Sequence, residues 1–394
     1  VNAVGKVFGI AGLVAGVVGA AALGGVTAQR VAIRKLRSGG VAGDNPEENR
    51  FDHLPVDRTY TVVTDDGVLL HVEEVGPADA PMTVVFSHGW ALRLGSWHFQ
   101  RVGLGFDPYG TAGALGLTEL VTDQVDPQDT IRMVFYDLRS HGRSTRSPTR
   151  RPTMDDLAED LAAVLKTAVP QGPMVLIGHS MGGMAVLSLA GREPEFFADR
   201  VAGVGLISTS ATEAGEVGRR FAALYRSGPV VRIAGMVATR YAGLIERGRA
   251  STRDAAWLIT RLVGFARQDV PAPVVDYLDE MLTGTSIDVI ADFAPGLIAY
   301  DRLAALPALI GIPTLVLCGD GDRMTPPANS ELIAQALPGA ELVEVEKAGH
   351  LPLMEAPTET NEALRRLMVK ARDYARARLS GDGAGRSKDS GTSR

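Results

Sequence analysis

The sequence predicts an α/β protein built on a mostly parallel, doubly wound sheet with an inserted helical cap. Three observations predict this class. Short apolar runs that end in Gly, Asp or Ser alternate with helical stretches, the pattern of parallel strands covered on both faces. One of those runs feeds straight into a glycine-flanked serine and then into a helical stretch. Finally, roughly a hundred residues between Ser208 and Thr314 carry helical periodicity and no clear strand, too many for a simple connection.

The elements follow in order. TYTVVT (59–64) and VLLHVEE (68–74) flank Asp65, Asp66 and Gly67, a strand–turn–strand signal. The later strands are MTVVFS (82–87), IRMVFYD (131–137), MVLIG (174–178), VAGVGLIS (201–208), TLVLCG (314–319) and ELVEVE (341–346). DDLAEDLAAVLKTA (155–168) opens on acids suited to a helix N-terminus and repeats apolar residues at Leu157, Leu161, Val164 and Leu165. Two stretches exceed a minimal unit: a helical cap or lid at about 211–305, and a Gly-rich excursion between Gln100 and Ile131 that reads as a surface loop.

The ends differ from the middle. Val7 to Thr27 is 21 residues without a charge, long enough to cross a hydrocarbon core. Lys6 precedes it and Arg30, Arg34, Lys35 and Arg37 follow. Residues 1–37 are therefore expected to be a membrane anchor, which by the positive-inside rule leaves the rest on the cytoplasmic side. A signal peptide, with secretion after cleavage, fits less well because of the long apolar region and the basic cluster behind it. A packed helix of a soluble protein is the third reading. Residues 38–57 read as a polar linker, 58–375 as the α/β domain, and 376–394 as a disordered tail without core-forming residues.

Composition narrows the chemistry. Of 394 residues, 45% are hydrophobic, enough for a packed core, and the net charge of −6 argues against a nucleic-acid partner. The single cysteine, Cys318, excludes a disulfide framework and multi-cysteine metal sites. No cofactor and no metal ligand set is expected.

Gly178-His179-Ser180-Met181-Gly182 fits G-x-S-x-G between a strand and a helix, so Ser180 would project from a sharp turn as a nucleophile. A serine hydroxyl needs a base. Of seven histidines only His350 follows Ser180, just past the strand ELVEVE, where it could reach the serine across the top of the sheet. The base needs an anion to hold its tautomer. Asp320 and Asp322, after TLVLCG, are the candidates; Asp322 lies further into the loop and is preferred, with Asp320 expected to bind loop amides. His179 is expected to pack in the core, and so is Cys318.

With these residues the chain resembles the α/β-hydrolase superfamily over about residues 58–375, in the capped branch of esterases, cofactor-free haloperoxidases and proline iminopeptidases. The order Ser180, Asp322, His350 is that family's order of nucleophile, acid and base. Ser87-His88-Gly89-Trp90, DLRSHGRS (137–144) and GHLPLMEAP (349–357) match further family stretches. The resemblance implies an oxyanion hole from the backbone N–H groups of Trp90 and Met181. It gives Asp137 and His141 a role in building the turn beside the nucleophile, with His88 and Gly89 shaping the loop before Trp90. Ser180 argues against the epoxide hydrolases and haloalkane dehalogenases, which attack with Asp. The implied activity is hydrolysis of a small-molecule carboxylic ester with an apolar acyl group. Perhydrolysis on the same triad and ligand binding without turnover are the rivals.

Overall fold

The computed structural model describes residue 51 and residues 54–104, 130–149, 151–212, 260–261, 264–267 and 269–380. The expected anchor at 7–27, most of the expected linker, the centre of the 101–130 excursion, the first half of the cap and the end of the tail lie outside these residues. Among the described residues, no single helix is long and apolar enough to cross a membrane.

Eight strands form one sheet: β1 (Arg58–Val63), β2 (Leu69–Val75), β3 (Met82–Ser87), β4 (Ile131–Tyr136), β5 (Met174–His179), β6 (Val201–Ile207), β7 (Thr314–Gly319) and β8 (Glu341–Val345). Their spatial order is β1-β2-β4-β3-β5-β6-β7-β8. β1 pairs antiparallel with β2, and β2 antiparallel with β4; the remaining pairs are parallel. Each expected strand is present to within a residue or two. β3, β5, β6 and β7 are buried along their whole length, as their continuous apolar sequences require. β8 sits at an edge and alternates between partly covered and exposed positions before ending on the buried Val345.

Helices cover both faces: α1 (His98–Leu104), α2 (Met154–Ala168), α3 (Met181–Arg192), α4 (Pro194–Arg200), α5 (Ala272–Gly284), α6 (Ile287–Ile298), α7 (Pro327–Ala336), α8 (Pro352–Glu355) and α9 (Pro357–Leu379). The start of α2 shows why the sequence stops and starts where it does. Thr153 accepts from the Asp156 amide and Asp156 returns the bond to the Thr153 amide, a capping box that satisfies two otherwise orphaned donors. Two apolar clusters result, one on each face of the sheet. The first joins α2, α3 and α6 to the sheet through residues such as Leu157, Leu187 and Phe293. The second joins α1, α5 and α9 through residues such as Phe99, Leu278 and Leu367. The described half of the cap is α5 and α6, and no strand occurs there among the described residues.

Two expected boundaries move. The last helix runs to Leu379, so residues 376–379 are helical rather than tail; Arg378 donates to the Asp199 carbonyl and holds that end to the domain. At the other end Phe51, inside the expected linker, is buried. Its ring stacks on Tyr277 of α5 at 4.6 Å and its carbonyl accepts from His98 Nδ1 at 2.8 Å. One aromatic residue in a polar stretch was enough to dock the chain, because a single ring buries as much apolar surface as several small residues.

Candidate active site

β5 ends at His179 and α3 begins at Met181, so the chain reverses through one residue, Ser180, at φ 51° and ψ −116°. A positive φ in a residue with a Cβ is strained and persists only where the surroundings impose it. Here the Ser180 amide donates to the Ile207 carbonyl at 2.9 Å, and its carbonyl accepts from Thr209 Oγ1 at 2.7 Å. The turn also needs close backbone approach. A Cβ on Gly182 would lie 2.1 Å from the Ser87 carbonyl oxygen, and one on Gly178 would lie 2.5 Å from Gly183 Cα. The glycines of G-x-S-x-G are therefore there for space. Thr209 was not singled out by sequence reasoning, since a threonine after a strand carries no signal by itself.

The three residues picked from the sequence meet at the C-terminal ends of the parallel strands. Ser180 Oγ lies 3.1 Å from His350 Nε2, and His350 Nδ1 lies 2.9 Å from Asp322 Oδ2. All three are buried. With Nδ1 facing a carboxylate, the ring proton belongs on Nδ1, leaving the Nε2 lone pair toward Ser180. The second carboxylate oxygen, Asp322 Oδ1, accepts the Met324 and Thr325 amides at 2.8 and 2.9 Å, and Thr325 Oγ1 donates to Oδ2 at 2.8 Å. Burial works to raise the Asp322 pKa, but the His350 ring and these donors outweigh it and hold the carboxyl below its ordinary value. The amide-binding role expected of Asp320 thus falls to Asp322, and Asp320 is exposed. The reason is geometric: Asp322 lies inside the turn, where its carboxylate faces the amides of the next two residues.

The His350 loop has its own anchor. The buried carboxylate of Glu355 accepts the amides of Gly349 and Arg267. Burial pushes its pKa up, against the pull of those amides. His179, beside the serine, lies in the core as expected. It also donates from Nε2 to the His350 carbonyl at 2.9 Å, and burial drops its pKa to about 3, so it stays neutral. Neither role was legible from spacing, because each depends on where two loops come together.

On the other side of Ser180 lies the loop after β3. His88 Nε2 accepts the Leu138 amide at 3.0 Å, which leaves the proton on Nδ1 to donate to the Gly89 carbonyl at 2.8 Å. A trans peptide points its C=O and N–H in opposite directions, so pinning the Gly89 carbonyl orients the Trp90 N–H. Met181 is the first residue of α3, whose opening N–H groups have no partner within the helix. Asp137 accepts the Leu94 amide on Oδ1 at 2.7 Å and the Arg143 amide on Oδ2 at 2.8 Å, while His141 Nε2 accepts the Ala91 amide at 3.1 Å. DLRSHGRS therefore builds and ties down the turn, as the resemblance implied. Burial lowers the His88 pKa well below the ordinary value and that of His141 to about 4. Burial likewise pushes the Cys318 thiol up to about 11, the state of an inert core residue. Among the described residues no group of three or more His, Cys, Asp or Glu side chains is placed to hold a metal ion.

This geometry can be set beside known proteins. The model of the alpha/beta hydrolase family matches residues 84–363, well over half of the chain. The chain belongs to the alpha/beta hydrolase family. Within it, the chain is 25% identical over 306 residues to the AB hydrolase superfamily protein YisY of Bacillus subtilis, covering 77% of this chain and 97% of that protein. It is equally 25% identical over 303 residues to a pimeloyl-(acyl-carrier protein) methyl ester esterase of Xanthomonas oryzae pv. oryzae, covering 76% of this chain and 99% of that one. A thermophilic esterase from Thermogutta terrifontis superposes with a TM-score of 0.60 at 26% identity, over 80% of this chain and 99% of that chain. The alpha/beta hydrolase match spans every strand from β3 to β8 and all five residues picked from the sequence.

Proposed function

We propose that the protein is a serine hydrolase that cleaves carboxylic esters through an acyl-enzyme. The observation that carries this reading is the continuous chain Ser180 Oγ to His350 Nε2 at 3.1 Å and His350 Nδ1 to Asp322 at 2.9 Å, buried beneath a strained turn. In the proposed mechanism His350 takes the Ser180 proton as the hydroxyl attacks the ester carbonyl. The Trp90 and Met181 N–H groups receive the oxyanion, and Asp322 stabilises the imidazolium. His350 then gives its proton to the departing alkoxide, and activates the water that releases the acid from Ser180. Kinship with a methyl ester esterase and with a thermophilic esterase supports esters as the substrate class.

The proposal includes an apolar acyl group, whose methylene groups would gain about 0.8 kcal/mol each on leaving water. An alkyl fluorophosphonate is expected to label the wild type and to leave Ser180→Ala unlabelled; equal labelling of both would sink the assignment. A panel of p-nitrophenyl esters should show kcat/KM rising with acyl length and then reaching a plateau. The proposal includes attachment to a membrane through residues 7–27. Resistance to alkaline carbonate extraction of the full chain, lost on deleting those residues, is the expected result, and a chain that is already soluble would reject it.

A further inference from the structure

The peptide that carries the Trp90 N–H is flanked on both sides by backbone groups held by side chains. Upstream, the Gly89 carbonyl accepts from His88 Nδ1 at 2.8 Å and from the Leu92 amide at 3.2 Å. Downstream, Ala91 is gripped at both of its backbone groups. Its N–H donates to His141 Nε2 at 3.1 Å, and its C=O accepts from Thr285 Oγ1 at 3.1 Å. Ala91 stands at φ 59°, a left-handed conformation that a residue with a Cβ rarely adopts unless held. Ala91, His141 and Thr285 are all buried.

Thr285 lies between α5 and α6, 194 residues along the chain from Ala91, so its bond joins the cap to the loop. The cap grips the same region at further points. The His141 ring stands edge-on to Phe293 of α6, with centroids 5.1 Å apart, and Arg93 pairs with Glu280 of α5 at 3.0 Å. The far end of the loop cannot give way, because the Leu94 amide is fixed to Asp137 Oδ1 at 2.7 Å. If Ala91 relaxed toward negative φ, the change would be passed back to Trp90.

Resting on the serine-hydrolase reading above, we infer that Thr285 and His141 are positioning residues: by clamping Ala91 in its left-handed conformation they aim the Trp90 N–H at the developing oxyanion, so that the oxyanion hole is complete only while α5 and α6 are seated on the loop. A contact that merely glued the cap down would stabilise the fold without favouring one reacting atom over another. The clamp makes a narrower claim, that the effect is confined to the atom entering the hole.

The test uses the full chain and two covalent probes, an alkyl fluorophosphonate and its thiophosphonyl analogue, in which sulfur replaces the oxygen that enters the hole and accepts hydrogen bonds poorly. The quantity measured is the second-order rate of Ser180 modification. Thr285→Val keeps the shape and removes the donor. It should slow the oxygen probe about tenfold, the range expected when a donor is misaimed rather than lost, and slow the sulfur probe less than about twofold. Thr285→Ser should restore the oxygen preference. His141→Phe, which keeps the ring packed on Phe293 and removes the acceptor, should reproduce the selective loss and serves as the readout if Thr285→Val does not fold. Equal slowing of both probes, or none, in a variant that melts like the wild type overturns the clamp. A wild type that is not labelled, or a Ser180→Ala variant labelled equally, overturns the serine-hydrolase reading instead and takes the clamp with it.

Discussion

The two flanks of Ser180 brace their loops with different groups. On the β7–β8 side the working groups carry or exchange charge. Asp322 is held ionised by His350, two amides and the Thr325 hydroxyl, and Glu355 braces the His350 loop through backbone amides. On the β3–β4 side a buried carboxyl, Asp137, again takes two amides, but the bracing nearest the Trp90 N–H falls to neutral imidazoles. His88 and His141 each donate from Nδ1 and accept on Nε2, fully buried, as fixed pieces of backbone scaffolding. The difference teaches how one site serves two needs. An acid–base group must change its protonation state during turnover, whereas an oxyanion donor must not move at all, and a side chain that cannot take a proton at working pH is a better brace for it.

The comparison can be broken from either flank, and the largest effects should come from the charged one. Ser180→Ala should lower kcat on a p-nitrophenyl ester by about 10⁴-fold or more, with thermal stability kept. Asp322→Asn keeps the shape but offers His350 the wrong partner, and should cost on the order of 10³–10⁴ in kcat with little change in KM. Glu355→Gln places an NH₂ group against either the Gly349 or the Arg267 amide, since each amide binds a different carboxylate oxygen. A loss of about tenfold in kcat, carried by the His350 loop, is expected from steady-state kinetics.

The buried neutral histidines of both flanks should also show themselves in the pH dependence of stability. His88, His141 and His179 have pKa values pushed below the ordinary 6.5, the last two to about 4 and about 3. The unfolded chain therefore takes up protons that the folded chain refuses. Their contribution to stability should fall as pH drops from about 6.5 toward 4, by up to about 1.4 kcal/mol per pH unit for each histidine, while the raised carboxyls of Asp137, Asp160 and Glu355 act with the opposite sign. Asp322 works in a different window. Its depressed pKa contributes stability that is lost progressively as pH falls from about 5 through its lower folded value, so most of its slope lies below that of the histidines. Denaturant titrations at several pH values check this, and His179→Gln, which keeps a donor for the His350 carbonyl, should flatten the slope by one histidine's share. A His179→Gln slope equal to that of the wild type would contradict the neutral-scaffold account. The smallest effect is expected for Thr325→Val, which removes one of four donors to Asp322 and should cost only a few-fold in kcat.

Much of this was legible in the amino-acid order. Continuous apolar runs mark strands that must be buried on both faces, and those runs became β3, β5, β6 and β7 because burial of that kind leaves few alternatives. Ser180 and His350 were legible for a simpler reason: the motif named one, and no other histidine follows it. Asp322 needed a guess about the turn. The boundaries at Phe51 and Leu379 were not legible, since a lone ring or a lone arginine finds its partner only in the folded chain.

Local chemistry, then, was determined by the sequence itself: periodicity, the glycine spacing of the turn, and the order of nucleophile, acid and base all act over a few residues or along the chain. Only the tertiary structure decided which groups hold these parts still. Thr285 meets Ala91 across 194 residues, Glu355 meets Arg267 across 88, and His179 meets the His350 carbonyl across 171. No pattern along the chain announces such meetings, because a hydrogen bond depends on where two loops come together in space, and the sheet order with the docking of the cap brings them there.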